Sequence, residues 1–279
     1  MNLFSPAEFV ENYSGIGEKK AMAPAWKLLL LGIPGGLFIA LGAAVASTAA
    51  HAIPNVGLAR MVSGLLFPLG LIVVLMTGAE LFTGNCLIAI PVLEKRISVG
   101  RMLRNWLLVY LGNFAGALLL AVCCAYFGQL NYSEGALAVY AIKVAAAKSA
   151  MPFLNAFVMG VFCNVLVCAS VMMALCAKDV AGRAIGAYVA VAMFVICGFE
   201  HSVANMFYVP VGLFATTVPK YAALAAQAGI DTSALTWGSF LWKNLLPVTL
   251  GNAVGGVGFG AMIWAGNRAK KGVIENTAN

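Results

Sequence analysis

Hydrophobic residues run along this chain in long blocks rather than at the spacing of an amphipathic soluble fold. Blocks of spanning length lie near residues 28–50, 58–90, 103–127, 152–176, 184–214 and 240–265. A helix needs about 20 apolar residues to cross a bilayer, so the pattern predicts six membrane-spanning helices. The second and fifth blocks are too long, and polar residues interrupt each of them: "TGAELFTGN" in one, "GFEHSVANM" in the other. These two spans are expected to be broken helices.

The interruptions match each other. Both read G-x-E-x-x-x-x-N, with Gly78, Glu80 and Asn85 in the first and Gly198, Glu200 and Asn205 in the second. The third and sixth blocks share N-x6-G-N-x-x-G, carried by Asn105, Gly112, Asn113 and Gly116 and by Asn244, Gly251, Asn252 and Gly255. The chain therefore reads as three spans duplicated. Repeat one covers about 28–127 and repeat two about 152–265, with a segment 1–27 before them and a tail 266–279 after. Three is odd, so the second copy starts on the opposite side of the membrane and the repeats are inverted. Inverted repeats with a discontinuous helix in each half place a binding site or pore near the midplane. GxxxG pairs such as Gly32/Gly36 and Gly112/Gly116 let neighbouring backbones approach closely in lipid.

Composition supports this class. The chain is 62% apolar and 10% charged, with a mean hydropathy of +0.93, whereas a soluble domain is about 45–50% apolar and about 25% charged. The net charge of +7 comes from basic residues spread through the loops, which is an orientation signal and not a nucleic-acid footprint. Of the 17 Lys and Arg residues, only Arg60, Lys143, Lys148, Lys220 and Lys243 fall on one side. The other side carries both termini, which are expected to be cytoplasmic. The seven cysteines lie in or beside apolar runs without a CxxC pair and read as small buried thiols. No metal or cofactor motif is present, and no catalytic set suggests an enzyme. A haem-binding subunit would need paired axial ligands, and the chain has only His51 and His201. A neutral water or glycerol pore would carry Asn-Pro-Ala pairs, and the breaks read T-G-N and V-A-N instead.

The polar residues at the breaks carry the candidate chemistry. A charge at the bilayer centre costs about 2.5–3.5 kcal/mol even on the lenient insertion scale, so Glu80 and Glu200 must face protein or a cavity. Each is expected to accept from the free N–H groups of its broken helix. His201 has Leu81 at its place in the first copy. A residue that breaks the symmetry points to substrate, as a donor or proton-exchanging group in a pore. Thr83 offers a hydroxyl from the other interruption, and Phe194 and Leu71 are candidates to narrow the path.

"GFEHSVANMFYVP", "GAELFTGN" and "VTLGNAVGG" resemble the fifth-, second- and sixth-helix signatures of the formate/nitrite transporter family of bacterial anion channels. The resemblance spans nearly the whole chain. It implies an all-α, aquaporin-like fold of six spanning helices with helices two and five broken. It also implies a homopentamer with one pore per protomer in the bacterial inner membrane, embedded in the lipid bilayer. By motif position, His201 stands at the pore centre with Thr83 across from it. Lys148 lies in the outer vestibule, and Asn164 and Asn252 lie near the histidine. Leu71 and Leu81 pinch the pore on one side and Phe194 on the other, with Phe67 added. The partner is a small monovalent anion: formate first, with nitrite and hydrosulfide as alternatives and short carboxylates such as acetate or lactate behind them. The anion either passes charged or takes a proton, directly or through His201. Desolvation favours the neutral acid and tips the expectation toward proton-linked passage. The partly amphipathic stretch "AEFVENYSGIG" is a candidate plug for the inner mouth.

Overall fold

The computed structural model describes residues 2–268. Residues 269–279, most of the expected tail, lie outside the described residues. Regular structure among the described residues is helical, with one isolated bridge between Leu3 and Ala177.

The chain opens with α1 (Pro6–Met22), which is not a spanning helix. Ser5 begins it with a capping box: its hydroxyl accepts from Glu8 N, and the Glu8 carboxylate accepts from Ser5 N at 2.7 Å. One face of α1, with Phe9, Tyr13 and Gly17, is buried. The opposite face carries Glu11 and Glu18.

Six stretches among the described residues are long and apolar enough to cross a membrane. The first is α2 (Ala25–Ala50). The second is α3 (Val56–Leu66) continued by α4 (Leu69–Thr77). It breaks at Gly78 and resumes as α5 (Phe82–Asn85), a short 3₁₀ turn and α6 (Ala89–Leu93). The third is α7 (Val99–Tyr126). After the non-spanning α8 (Ala136–Ser149) comes α9 (Phe153–Cys176). The fifth is α10 (Val180–Cys197), which breaks at Gly198 and resumes as α11 (Ser202–Thr216). A short α12 (Pro219–Gln227) leads to a π-helical turn (Ser239–Leu245) and then α13 (Leu246–Asn267).

Both breaks use one device. Gly78 and Gly198 close their half-helices with φ of 73° and 74°, a left-handed conformation that costs a glycine little and other residues more. Past each glycine the chain runs extended through Leu81 or His201 and starts a new helix.

The repeats pack alike. Helix α2 lies along α7, and α9 along α13. A Cβ built on Gly32 would stand 2.9 Å from Val109 O, and one on Gly160 would stand 2.8 Å from Val248 O. The two crossings are thus closer than any side chain allows, which is the small-residue contact expected in lipid. Tyr110 and Thr249 occupy equivalent positions in the two copies and share a hydrogen bond of 2.7 Å. Equivalent residues meet only at an axis relating their repeats, so this contact marks the pseudo-two-fold axis.

Candidate functional site

The broken helices bring four buried polar clusters together, and the clusters come in matched pairs. The first pair satisfies the exposed backbone. Asn113 of α7 accepts from Phe82 N at 2.9 Å and donates to Gly32 O at 2.8 Å and to Glu80 O at 2.9 Å. Asn252 of α13 accepts from Ser202 N at 2.8 Å and donates to Gly160 O at 2.8 Å and to Glu200 O at 3.0 Å. Each asparagine satisfies one orphan donor and two carbonyls of the interrupted backbone, using both ends of its amide.

The second pair holds the acids, and here the sequence expectation fails. Neither carboxylate caps a backbone N–H. Glu80 accepts from Lys20 Nζ at 2.9 Å and from Asn85 Nδ2 at 2.7 Å. Glu200 accepts from Lys148 Nζ at 2.7 Å and from Asn205 Nδ2 at 2.6 Å. The asparagines already fill the capping role, and they do so without placing a net charge on the break. The acids instead neutralise two lysines, as a buried charge requires. Each network extends by one more asparagine: Asn85 donates to Asn105 Oδ1 and Asn105 to Lys20 O, while Asn205 donates to Asn244 Oδ1 and Asn244 to Lys148 O.

Lys148 therefore does not stand as an isolated charge. Its carboxylate partner lies 2.7 Å away, and its Nζ also faces the ring of Tyr208 at 5.4 Å. Lys20 is its counterpart and was missed in the sequence. The signal was present: Lys20, Pro24 and Gly32 share the spacing K-x3-P-x7-G with Lys148, Pro152 and Gly160. The repeat match thus extends one helix upstream of residue 28, pairing α1 with α8. Asn85, Asn105, Asn113, Asn205 and Asn244 stand out in the sequence as repeat positions, with no role attached to them there.

Symmetry ends at the centre. Leu81, Phe82 and Thr83 correspond to His201, Ser202 and Val203. His201 Nε2 lies 3.0 Å from Thr83 Oγ1, and both residues are buried. Ala204 N donates to His201 Nδ1 at 3.0 Å. That bond makes Nδ1 an acceptor, so the neutral ring carries its proton on Nε2, facing Thr83. Asn164 Nδ2 donates to Thr83 O at 3.2 Å and to Asn252 O at 2.6 Å, joining the two breaks. Its Oδ1 has no hydrogen-bond partner among the described residues.

Apolar side chains flank this pair. Phe194 stacks on the imidazole with centroids 5.8 Å apart, and Phe67 meets Phe194 edge-on at 5.7 Å. Leu71 and Leu81, both buried, line a cavity of about 220 Å³ on the α1 side, together with Tyr13, Lys20 and Glu80. His201, Thr83, Asn164, Phe194 and Phe67 are thus brought together at the centre, Leu71 and Leu81 line the cavity on the α1 side, and Lys148 stands in an ion pair with Glu200.

Six spans in two inverted copies, with two half-helices meeting at an enclosed histidine and hydroxyl, define a membrane transport protein. The chain matches the family model for formate/nitrite transporters over residues 7–266 and belongs to that family. It is 36% identical over 278 residues to a probable formate transporter of Methanothermobacter thermautotrophicus, covering 93% of this chain and 95% of that protein. It is 35% identical over 262 residues to the formate channel FocA of Escherichia coli K12, covering 91% of each. Among solved structures it is similar to a pentameric formate channel with formate bound, with a TM-score of 0.77, 34% identity, and 88% of this chain and 97% of that one covered.

Proposed function

We propose that the protein conducts small monovalent anions, formate foremost, through a pore within each chain, and that passage is proton-linked through His201. The observation that carries this is the enclosed contact between His201 Nε2 and Thr83 Oγ1 at 3.0 Å. It sets a donor where apolar walls strip an anion of water. The formate channels among the relatives supply the substrate, and nitrite and hydrosulfide are the alternatives within the family.

The residues divide the work. Phe67 and Phe194 form one constriction, Leu71 and Leu81 the other. Between them an arriving carboxylate replaces the Thr83 hydroxyl as acceptor of the Nε2 proton. Nδ1 is held by Ala204 N, so the ring acts through Nε2, on the pore. Desolvation favours the neutral acid; the carboxylate, held on the Nε2 N–H, takes a proton delivered through water and the Thr83 hydroxyl, so the ring keeps its own proton and stays neutral. The lysine–glutamate pairs place fixed, matched dipoles at both approaches.

In the same reading the protein is a homopentamer in a bacterial inner membrane, with both termini cytoplasmic, so that α1 faces the cytoplasm and α8 the outside. Reporters fused at either terminus are expected to read cytoplasmic, and an external signal from one of them breaks the inverted-repeat orientation. The functional test is uptake into proteoliposomes. Formate is expected to pass and glycerol to be excluded, with formate uptake accompanied by protons. His201→Asn retains a donor of similar reach but lacks the imidazole that holds the carboxylate against the Thr83 hydroxyl. It is expected to conduct formate without proton accompaniment. Wild-type proton coupling in this variant would show that the imidazole is not needed for it.

A further inference from the structure

The lysine-bearing helices at the two mouths of the pore differ at a position the repeat does not match. Lys20 of α1 and Lys148 of α8 are equivalent, and both are paired with a glutamate. Seven residues before Lys20 stands Tyr13, and seven before Lys148 stands Ala141. Tyr13 is 1% exposed, yet it lines the cavity of about 220 Å³ that leads from Lys20 to Leu71 and Leu81. Among the described residues its hydroxyl makes no hydrogen bond within the protein, and it is not one of the sealed orphan oxygens such as Ser170 Oγ or Ser202 Oγ. The hydroxyl therefore opens onto the cavity.

The neighbourhood holds the ring in place. Phe9 packs on it with centroids 5.4 Å apart. A Cβ on Gly17 would lie 3.4 Å from Tyr13 Cε1 and 2.9 Å from Pro91 Cγ. Glycine at 17 thus lets α1 settle against Pro91 with the tyrosine laid along it. Burial, followed by nearby Cys168, Glu80 and Cys86, raises the phenol well above its ordinary pKa, so it stays a donor at any physiological pH. A buried donor without a partner carries an unmet desolvation cost. A ligand that accepts a hydrogen bond relieves it.

We propose that Tyr13 and Lys20 form a holding site for a small carboxylate anion on the α1 side of the pore, a site the α8 side lacks. Lys20 Nζ is 28% exposed at the side chain and keeps a face toward the cavity beyond its bonds to Glu80 and Asn85. Glu80 matches its charge, so Lys20 contributes a short-range N–H donor, and the phenol supplies the second donor. The volume suits an ion of a few heavy atoms with some water and excludes a long acyl chain. The site lies before the apolar constriction at Leu71 and Leu81, so it stores the anion without setting the barrier.

The inference rests on the anion-pore reading, and its kinetic consequence is one-sided. A well on one side of a barrier saturates with ligand from that side only. Its loss raises the half-saturation concentration and the limiting rate together for flow from that side. Tyr13→Phe keeps the ring and its packing and removes only the O–H. Formate flux is measured in each direction in vesicles of known protein orientation. Half-saturation from the α1 side is expected to rise about tenfold to a hundredfold, the worth of one hydrogen bond to a charged group. From the α8 side it moves less than about twofold, within the range of an indirect effect. An equal rise on both sides, or none on the α1 side, overturns the site. Saturation-transfer NMR of the formate proton on detergent-solubilised protein gives a reading without transport; the transfer is expected to fall in Tyr13→Phe, and undiminished transfer in that variant overturns the site. Tyr13-dependent binding in a wild-type protein that carries no formate leaves the site standing and removes the pore reading. Transport without Tyr13-dependent binding does the reverse.

Discussion

The break at Leu81 and the break at His201 are built on the same frame and do different things. Each has a left-handed glycine, an asparagine from the facing helix on the exposed N–H, and a glutamate tied to a lysine and an asparagine. At the residue that starts the second half-helix, one copy places an apolar side chain and the other an imidazole. Leu81 lines the cavity on the α1 side, and His201 uses Nδ1 to cap its own helix through Ala204 N while pointing Nε2 at Thr83. Matched positions make the scaffold, and the mismatched ones are those that the proposed path uses.

The largest effects are expected in the frame. Removing one partner of a buried ion pair strands the other and costs about 3–5 kcal/mol. Glu200→Ala should show this, since its side chain is 4% exposed and that of Lys148 is 16% exposed. Glu80→Ala should cost less, because Lys20 at 28% retains access to water. Melting curves of the detergent-solubilised variants give the order, and equal losses would show that the two networks are equally dry. Replacing Lys148 and Glu200 together by Met and Leu should recover most of the loss, as apolar replacement of a buried pair often does.

Next come the capping asparagines. Asn113→Leu and Asn252→Leu each leave one N–H and two carbonyls short of a partner, at about 1–3 kcal/mol for a buried unsatisfied group. The two losses should agree within about 1 kcal/mol, the usual scatter of such measurements. A large difference would mean that the repeats do not share their load. His201→Leu, which copies the other break, should abolish proton-linked formate uptake. It should cost about 1–3 kcal/mol in stability through the lost acceptor for Ala204 N and the lost partner of Thr83 Oγ1. Retained uptake in that variant would move the central donor elsewhere.

The smallest effects belong to the outer face of α1. Arg96 and Glu18 lie 3.9 Å apart with side chains 42% and 44% exposed, and Glu18→Gln should shift the melting point by no more than an exposed pair is worth, about 0–1 kcal/mol. Glu8 is held below its ordinary carboxyl pKa by the backbone N–H of Ser5 and then by its hydroxyl. A depressed folded pKa means that the capping box stabilises above the unfolded value of about 4.5 and loses that contribution as pH falls through the folded one. Hydrogen exchange across residues 7–9 should quicken over that acidic window, and Glu8→Gln should remove the pH dependence.

The sequence by itself determined the spans, both breaks, the duplication and the inversion. Each rests on local chemistry: a bilayer demands long apolar runs, and a polar gap in such a run is costly enough to mark itself. His201 and Thr83 were legible because they depart from the repeat, and Leu71, Phe194 and Asn164 through family motifs. The partners of the charges were not legible. Glu80 finds Lys20 across 60 positions, and Glu200 finds Lys148 across 52. No periodicity couples residues that far apart, and the lysines sit on helices that do not span. Without them, a carboxylate beside a broken helix reads as a cap. Only the tertiary structure shows that asparagines from facing helices had taken the backbone donors, leaving the acids to neutralise lysines. The same holds for Tyr13, which in the sequence is one polar-edged aromatic in an amphipathic segment. It becomes a candidate ligand because α1 folds back under the pore, and that placement is decided by the packing of Gly17 on Pro91 and the reach of Lys20 to Glu80.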